Sequence, residues 1–229
     1  MRLPQVVQRH FTPTHFWQLE RGQARLERPL YATAKRAFDI AFALILLILT
    51  LPVLLLAALL VRLTSPGPVI FSQIRCGKDG KPFRCYKFRT MLDGAERLLQ
   101  DDEKLQAAFI QAWKLNDDPR VTRLGRLLRK TSIDELPQIL NVLRGEMSMV
   151  GPRPVQPVEL EQHFGSEGCS VTSVKPGISG LWAVSGRSSR SYGERIMLEL
   201  EYIRRRGFAY DLWLVLRTIL AVFTFRGAV

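Results

Sequence analysis

The longest apolar run in the chain extends from Ile40 to Val61, and only Thr50 and Pro52 interrupt its 22 residues. As a straight α-helix this run would be about 33 Å long, which is enough to cross the hydrocarbon core of a bilayer. Pro52 lies in the middle, where a proline removes one backbone hydrogen bond and kinks the helix. The pattern therefore predicts a membrane helix with a bend near its centre.

Basic residues flank this run on both sides. Lys35 and Arg36 precede it, and Arg62 and Arg75 follow it. A helix that crosses the membrane once is expected to have one basic flank and one neutral flank, because basic residues accumulate on the cytoplasmic side. Two basic flanks favour a re-entrant hairpin that returns to the side from which it entered, with a single-pass helix as the alternative.

Asp39 stands just before the apolar run, where an ionised carboxylate is costly unless it is paired or lies at the interface. Lys35 and Arg36 are its nearest candidate partners. We therefore predict that Asp39 pairs with Lys35 or Arg36 at the start of the membrane segment, and that Pro52 bends this segment.

Two apolar runs, Val69–Ile74 and Phe83–Phe88, surround an Asp79-Gly80 turn and predict a β-hairpin. A helix is expected next, from Gly94 to Leu115, with Asp93 as its N-cap. The following stretches predict, in order, a short basic helix over 120–130, a helix over 133–144, a proline-rich extended segment over 149–157, a surface loop over 158–170 and a long helix over 192–225.

The last of these helices is apolar over most of its surface, which favours a helix at the membrane interface, with Trp213 and Arg217 at headgroup depth. A buried core helix is the alternative. The predicted fold is α+β and mostly helical, with a small β-hairpin, a re-entrant membrane helix hairpin and interfacial amphipathic helices. It divides into an N-terminal extension (1–34), the membrane helix (35–64) and a cytosolic-face domain (65–229).

The formal net charge of +12 predicts an anionic partner: nucleic acid, anionic lipid or a phosphorylated substrate. Much of the excess lies at the two ends, since residues 1–36 hold seven Lys and Arg against two acids. The three cysteines have no CxxC spacing, which favours a reducing compartment over a disulfide framework or a zinc site. Residues 1–34 are polar and mixed and do not resemble a signal peptide.

Asp134 and Glu135 are the leading candidates for chemistry. A structural interpretation is sufficient for both, because Ser132 and Glu135 have the spacing of a capping box and acids favour the first turn of a helix. The functional interpretation uses the same geometry. A carboxylate held ionised at a helix N-terminus is a competent nucleophile, and its neighbour is able to hold a metal ion on a diphosphate.

Five basic residues around this pair are candidates for phosphate binding: Lys87, Arg89, Arg129, Arg153 and Arg187. Arginine offers a bidentate fork that neutralises phosphate oxygens, although each of these residues alone is also consistent with a solvated surface charge. The chain contains no GxGxxG and no GxxxxGK[ST] motif, so a nucleotide would not be bound by a Rossmann or Walker loop.

The chain resembles the monotopic bacterial sugar transferases, the polyprenyl-phosphate hexose-1-phosphate transferases, from about Lys35 to the C-terminus. The resemblance rests on KRAFDIAFALILLILTLPVLLL, YKFRTM, DPRVTRLGRLLRKTSIDELPQILNVLRGEMSMVGPRP, KPGISGLWAVSGR and DLWLVLRT. It implies a re-entrant helix broken at Leu51-Pro52, where many relatives have Ser-Pro, and anchored by Lys35, Arg36 and Asp39.

The resemblance further implies that Asp134 is the nucleophile and that Glu135 is its acidic partner at a Mg²⁺ ion. Arg129 and Arg153 match positions near the phosphates, and Arg187 matches a basic residue near the nucleotide. The implied reaction has two steps: Asp134 attacks the β-phosphate of a UDP-sugar and expels UMP, and undecaprenyl phosphate then accepts the sugar phosphate.

The resemblance implies that this reaction is the first membrane step of exopolysaccharide or related glycan synthesis, at the cytoplasmic face of the bacterial inner membrane. The overall pattern favours galactose or glucose as the sugar, and the apolar surface is compatible with a homodimer. Three alternatives remain: a non-catalytic membrane scaffold, a UDP-sugar diphosphatase and a nucleic-acid-binding protein. The apolar segment and the lack of a nucleic-acid-binding motif disfavour the last of these.

Overall fold

The computed structural model describes residues 29–102, 106–107, 118–186 and 191–223, which form a mostly helical α+β structure with two small sheets. The strands are β1 (Ile70–Cys76), β2 (Pro82–Phe88), β3 (Ser148–Val150) and β4 (Gly177–Ser179). The helices are α1 (Pro29–Thr64), α2 (Ala95–Asp101), α3 (Arg123–Thr131), α4 (Ile139–Arg144), α5 (Pro157–His163), α6 (Glu167–Val171), α7 (Leu181–Val184), α8 (Tyr192–Arg205) and α9 (Phe208–Phe223).

The predicted hairpin is confirmed. Strands β1 and β2 pair antiparallel, with Ile70 opposite Phe88 and Cys76 opposite Pro82. A 3₁₀ turn over Lys78–Gly80 joins them, and Asp79 and Gly80 both have positive φ, at 55° and 71°. Asp and Gly tolerate this left-handed conformation better than most residues, which is why the Asp-Gly pair marks the turn.

The second sheet joins two distant parts of the chain. Strand β3 runs parallel to β4, with Ser148 beside Gly177 and Val150 beside Ser179. The backbones approach so closely that a Cβ added at Gly177 would collide with the amide nitrogen of Gly151. Only glycine fits there, and the contact fixes the start of the proline-rich segment 151–157.

Helix α1 is, among the described residues, the one helix long and apolar enough to cross a membrane. Pro52 lies inside it, and Thr50 donates a hydrogen bond to the Leu46 carbonyl in the preceding turn. Near its start, Phe38 and Phe42 pack against the main core, whose centre is formed by residues such as Ile139, Val142, Met147 and Leu214. Near its end, Ala57 and Val61 pack with Phe88 and Leu128 in a second cluster. The predicted change of direction at Pro52 stays a prediction.

Helix α2 and the C-terminal helix differ from the sequence-based expectation. Helix α2 ends at Asp101 instead of continuing to Leu115, and its N-cap is Gly94 in the left-handed conformation, so the prediction of Asp93 as N-cap was wrong. The end predicted near Asn116 lies outside the described residues. The long C-terminal helix is divided into α8 and α9, because Arg206 leaves the helical conformation before Gly207.

The loop predicted over 158–170 is wrong, because α5 and α6 lie there. Pro157 occupies the first turn of α5, and Gln156 and Glu159 form a capping box. Leu160 and Phe164, four residues apart, bury one face of the segment. These start signals were present in the sequence, but the glycines and serines that follow them suggested a loop.

Asn141 on α4 is fully buried and completes the outer edge of β2. Its Oδ1 accepts a hydrogen bond from the Tyr86 amide at 3.1 Å, and its Nδ2 donates to the Arg84 carbonyl and to Glu146, each at 2.7 Å. The side chain therefore replaces a third strand and fixes β2, which carries residues of the site described below.

We expect Asn141→Ala to lower the free energy of unfolding by about 2–4 kcal/mol, because two buried backbone groups lose their partners. Urea unfolding followed by circular dichroism in detergent micelles measures the change. Ser173→Ala is the control, since its hydroxyl makes an exposed hydrogen bond to the Ser170 carbonyl. Equal stabilities of the two variants would contradict this role for Asn141.

Candidate active site

Asp134 and Glu135 lie in a 3₁₀ turn, Ile133–Gln138, between α3 and α4. The expected capping box is wrong: Ser132 has φ 59° in the left-handed region and its side chain makes no cap hydrogen bond. Its backbone N–H instead donates to the Arg129 carbonyl and ends α3. The predicted helix over 133–144 is therefore a 3₁₀ turn followed by the short α4, because Pro137 cannot supply an amide donor.

Burial governs the charge of Asp134, which is 7% exposed. Burial, followed by repulsion from Glu135, raises the pKa of Asp134 from 3.8 to about 6, while Lys87, Arg129 and Arg153 act to lower it. The sequence predicts that a helix N-terminus holds this carboxylate ionised, but burial acts in the opposite direction. The short 3₁₀ turn contributes little dipole, and the nearby cations only limit the effect of burial.

Glu135 lies between two of the basic residues that the sequence predicts to bind phosphate. Lys87 Nζ, at the end of β2, is 2.7 Å from Glu135 Oε1, and Arg153 Nη1 is 3.4 Å from the same oxygen. The three side chains are partly exposed, at 22–35%. The structure thus brings together residues that are separated by 48 and 18 positions in the chain.

Arg129 reaches the pair from the last turn of α3. Its Nε donates to Thr90 Oγ1 at 2.9 Å, just beyond β2. Burial lowers the pKa of Arg129, and the negative charges of Asp134 and Asp118 oppose this effect. Gly125 allows α3 to approach so closely, because a Cβ there would collide with the Thr90 carbonyl. Arg129 therefore adds a positive charge beside the buried Asp134.

Arg89 is not placed with this group. Arg89 is buried, and its Nη2 donates to the carbonyl and hydroxyl oxygens of Ser65 at 2.7 and 2.8 Å. It therefore ties the end of α1 to the end of β2, and its predicted phosphate contact stays a prediction. Arg187 lies outside the described residues.

The predicted anchor residues make specific contacts. Asp39 Oδ1 accepts hydrogen bonds from Ser148 Oγ and the Met149 amide, both at 3.0 Å, and lies 3.3 Å from Lys35 Nζ. Arg36 does not pair with Asp39. It donates to the carbonyls of Val142 and Leu143 at the end of α4, at 2.6 and 2.9 Å, where a cation is favoured by the helix dipole.

Several residues beside the acidic pair were not predicted from the sequence. Arg75, Cys85 and Gln138 line a shallow pocket together with Lys87, Glu135 and Arg153. A buried group of polar side chains lies behind it, formed by Glu159, Arg195 and Glu199. Arg195 and Glu199 could have been found in the sequence, because they are opposite charges four residues apart among apolar residues of α8. Arg75 and Gln138 had no such local signal.

The carboxylates of the site can hold a magnesium ion only if water and substrate phosphates supply its remaining ligands. The described residues contain no group of three or more His, Cys, Asp and Glu that could hold a metal. Two neighbouring carboxylates are present, and Mg²⁺ in enzymes is commonly held by one or two carboxylates, with water and substrate phosphates completing its shell. The residues fit a Mg²⁺ ion that arrives with a diphosphate.

The family model for bacterial sugar transferases matches residues 30–225. The match covers α1, the site and α9, so the chain belongs to the bacterial sugar transferase family. The exopolysaccharide production protein ExoY of Sinorhizobium fredii is 42% identical over 205 residues, which cover 88% of this chain and 90% of that protein.

Two larger relatives carry more specific names. The undecaprenyl-phosphate galactose phosphotransferase of Salmonella typhimurium is 37% identical over 223 residues, 95% of this chain and 46% of that protein. The UDP-glucose:undecaprenyl-phosphate glucose-1-phosphate transferase of Escherichia coli is 40% identical over 215 residues, 87% of this chain and 44% of that protein. This chain therefore spans slightly less than half the length of each.

Proposed function

We propose that the protein transfers a hexose-1-phosphate from a UDP-sugar to undecaprenyl phosphate and releases UMP. The observation that carries the proposal is the burial of Asp134 beside Glu135, with Lys87, Arg129 and Arg153 around the pair. The carboxylate of Asp134 is a competent nucleophile in its ionised form, and the cations around it oppose the charge of a diphosphate. The names of the relatives supply the donor and the acceptor.

In the first step, a carboxylate oxygen of Asp134 attacks the β-phosphorus of the UDP-sugar. The bond from this phosphorus to the bridging oxygen breaks, and UMP leaves with that oxygen and its electron pair. The product on the protein is a sugar-phosphoryl aspartate. Arg129 and Arg153 offset the negative charge that builds up on the phosphoryl oxygens and on the leaving phosphate.

In the second step, a phosphate oxygen of undecaprenyl phosphate attacks the same phosphorus, and the bond to Asp134 breaks. The carboxylate is regenerated, and the product is a lipid diphosphate that bears the sugar. A Mg²⁺ ion held by Glu135 would withdraw charge from the diphosphate of the donor. Lys87 keeps the Glu135 carboxylate in place through its 2.7 Å ion pair.

The packing of α1 supports a re-entrant hairpin. Phe42 contacts the main core, and Ala57 and Val61 contact a second cluster on the same domain. Between them, Ile48 and Leu49 are each 71% exposed. The far end of a spanning helix would lie about 30 Å from the near side of the bilayer, beyond reach of that domain. This packing supports the proposal that both ends of α1 lie at one face of the membrane, and the basic flanks favour the cytoplasmic face of the bacterial inner membrane.

The test is UMP release from a panel of UDP-sugars, with and without undecaprenyl phosphate. We expect turnover with UDP-galactose or UDP-glucose only when the lipid is present, and at most one UMP per enzyme without it, because the covalent intermediate accumulates. Glu135→Gln should lower kcat by about 100-fold or more, since it removes a charge at the diphosphate.

Lys130→Gln is the control, because Lys130 is exposed on the outer face of α3. Continuous UMP release that is independent of the lipid would identify a diphosphatase instead. No release from any donor by folded protein would reject the transferase and leave a scaffold role.

A further inference from the structure

Helix α8 carries a buried polar face directly behind the active site. Arg195 and Glu199, four residues apart, are 7% and 1% exposed, although charged side chains are rarely buried so fully. Burial raises the pKa of Glu199 from 4.5 to about 7. Neither residue reaches the acidic pair itself, so their burial needs another physical reason.

Both residues act on the surroundings of Arg153. Glu199 Oε1 accepts a hydrogen bond from the backbone amide of Arg153 at 3.0 Å. The guanidinium carbon of Arg153 lies 5.0 Å from the centroid of the Trp182 ring, and that of Arg195 lies 5.3 Å from the same ring. Arg195 is held in turn by Glu159, through an ion pair of 2.6 Å. Backbone and side chain of Arg153 are thus fixed separately.

A contribution to stability does not explain why these polar side chains are buried. Among the described residues, Glu199 Oε2, Trp182 Nε1 and two nitrogens of Arg195, Nε and Nη2, are buried without a hydrogen-bond partner. Each such atom loses its contact with water on folding and gains no hydrogen bond in return, so a well-packed apolar group in its place would be more stable. Unsatisfied buried atoms grouped behind one residue of a site indicate a functional reason for keeping them.

We infer that Glu199 and Trp182 are positioning residues that hold Arg153 in place for the phosphates of the donor. The inference rests on the proposed function, because it names the support of one of that function's phosphate-binding residues. Glu199 fixes the position of the backbone at Arg153, and the Trp182 ring fixes the direction of the guanidinium towards Glu135. The substrate phosphate then meets an arginine that loses little conformational freedom on binding.

A double-mutant cycle between Glu199→Ala and Arg153→Ala tests this. Arg153→Ala removes the guanidinium but keeps the backbone amide that Glu199 holds. We expect Glu199→Ala alone to lower kcat/KM by about tenfold or more, and to have less than about a threefold effect when Arg153 is already alanine. Its effect on the unfolding midpoint should be the same in both backgrounds, because the amide loses its acceptor in each.

Two further variants separate positioning from folding. Glu199→Gln keeps the acceptor oxygen and should restore most of the activity, and Trp182→Leu should resemble Glu199→Ala in its dependence on Arg153. Glu201→Ala is the matched control, because Glu201 lies on the same helix and pairs with Arg205 in solvent, where the side chains are 41% and 64% exposed.

The dissociation constant of UDP is measured for the same four proteins of the cycle. The coupling between Glu199 and Arg153 can then be determined even if the protein transfers no sugar phosphate. If the wild type binds UDP but transfers no sugar phosphate, the proposed function fails while the cycle on binding still decides the inference. A loss of activity or of UDP affinity with Glu199→Ala that is equally large in both backgrounds overturns the inference. So does a wild type that binds no UDP, since Arg153 would then have no phosphate to meet.

Discussion

Asp134→Asn should abolish sugar phosphate transfer and make the protein more stable. The amide cannot form the sugar-phosphoryl intermediate, so we expect kcat to fall by about 10⁴-fold or more. The gain in stability follows from the environment of the carboxylate. Because burial and Glu135 raise the pKa of Asp134 from 3.8 to about 6, folding at pH 7 forces an ion into a site that prefers the neutral acid.

The size and the pH range of the gain follow from the same pKa. The folded protein binds the Asp134 proton more tightly than the unfolded chain does, so stability is full below pH 3.8 and declines as the pH rises to about 6. A shift of about two units corresponds to about 3 kcal/mol at pH 7. Asparagine removes this penalty, so the two proteins should differ most above pH 6 and least below pH 4.

Thermal unfolding of both proteins in magnesium-free buffer between pH 4 and pH 8 measures the difference, and UMP release measures the activity. Asp118→Asn is a suitable comparison, because its hydrogen bonds to Arg120 hold the pKa of Asp118 below the ordinary value, so that variant should lose stability at pH 7. An Asp134→Asn protein no more stable than wild type at pH 7 would contradict the burial argument. Residual transfer near the wild-type rate would contradict the nucleophile.

Asp211→Ala should be among the most destabilising single changes, because Asp211 joins α9 to α1. Its carboxylate is 1% exposed. Lys35 Nζ lies 3.1 Å from it, and the hydroxyls of Tyr31 and Tyr202 donate to it at 2.9 and 3.0 Å. Alanine would leave one buried and two partly buried polar groups with fewer partners, and breaking a buried ion pair typically costs about 3–5 kcal/mol.

Unfolding in detergent micelles, followed by tryptophan fluorescence, checks this value. Asp211→Asn should cost less than alanine, since the amide oxygen still accepts a hydrogen bond and Lys35 keeps Asp39 at 3.3 Å. Glu201→Ala, which breaks an exposed pair with Arg205, should cost at most about 1 kcal/mol. An Asp211→Ala protein as stable as Glu201→Ala would mean that the network does not hold α9 against α1.

The sequence alone determined the features that depend on neighbours along the chain. The β-hairpin follows from two apolar runs around Asp79-Gly80, and the helical state of Ile40–Val61 follows from an apolar run that only Thr50 and Pro52 interrupt. The family motifs also selected Asp134 and Glu135, because their order along the chain is specific. Local errors, such as the missed α5, arose where a start signal at Pro157 was followed by residues typical of loops.

Only the tertiary structure decided how distant groups act on one another. The pairing of Glu135 with Lys87 and the path of Arg89 to Ser65 depend on how β2 lies against the 3₁₀ turn and α1. No spacing in the sequence encodes such a contact. The pKa of Asp134 is likewise a property of burial, which arises from packing elements that are far apart in the chain. The sequence therefore determined which groups are available for chemistry, and the tertiary structure determined their charge and their partners.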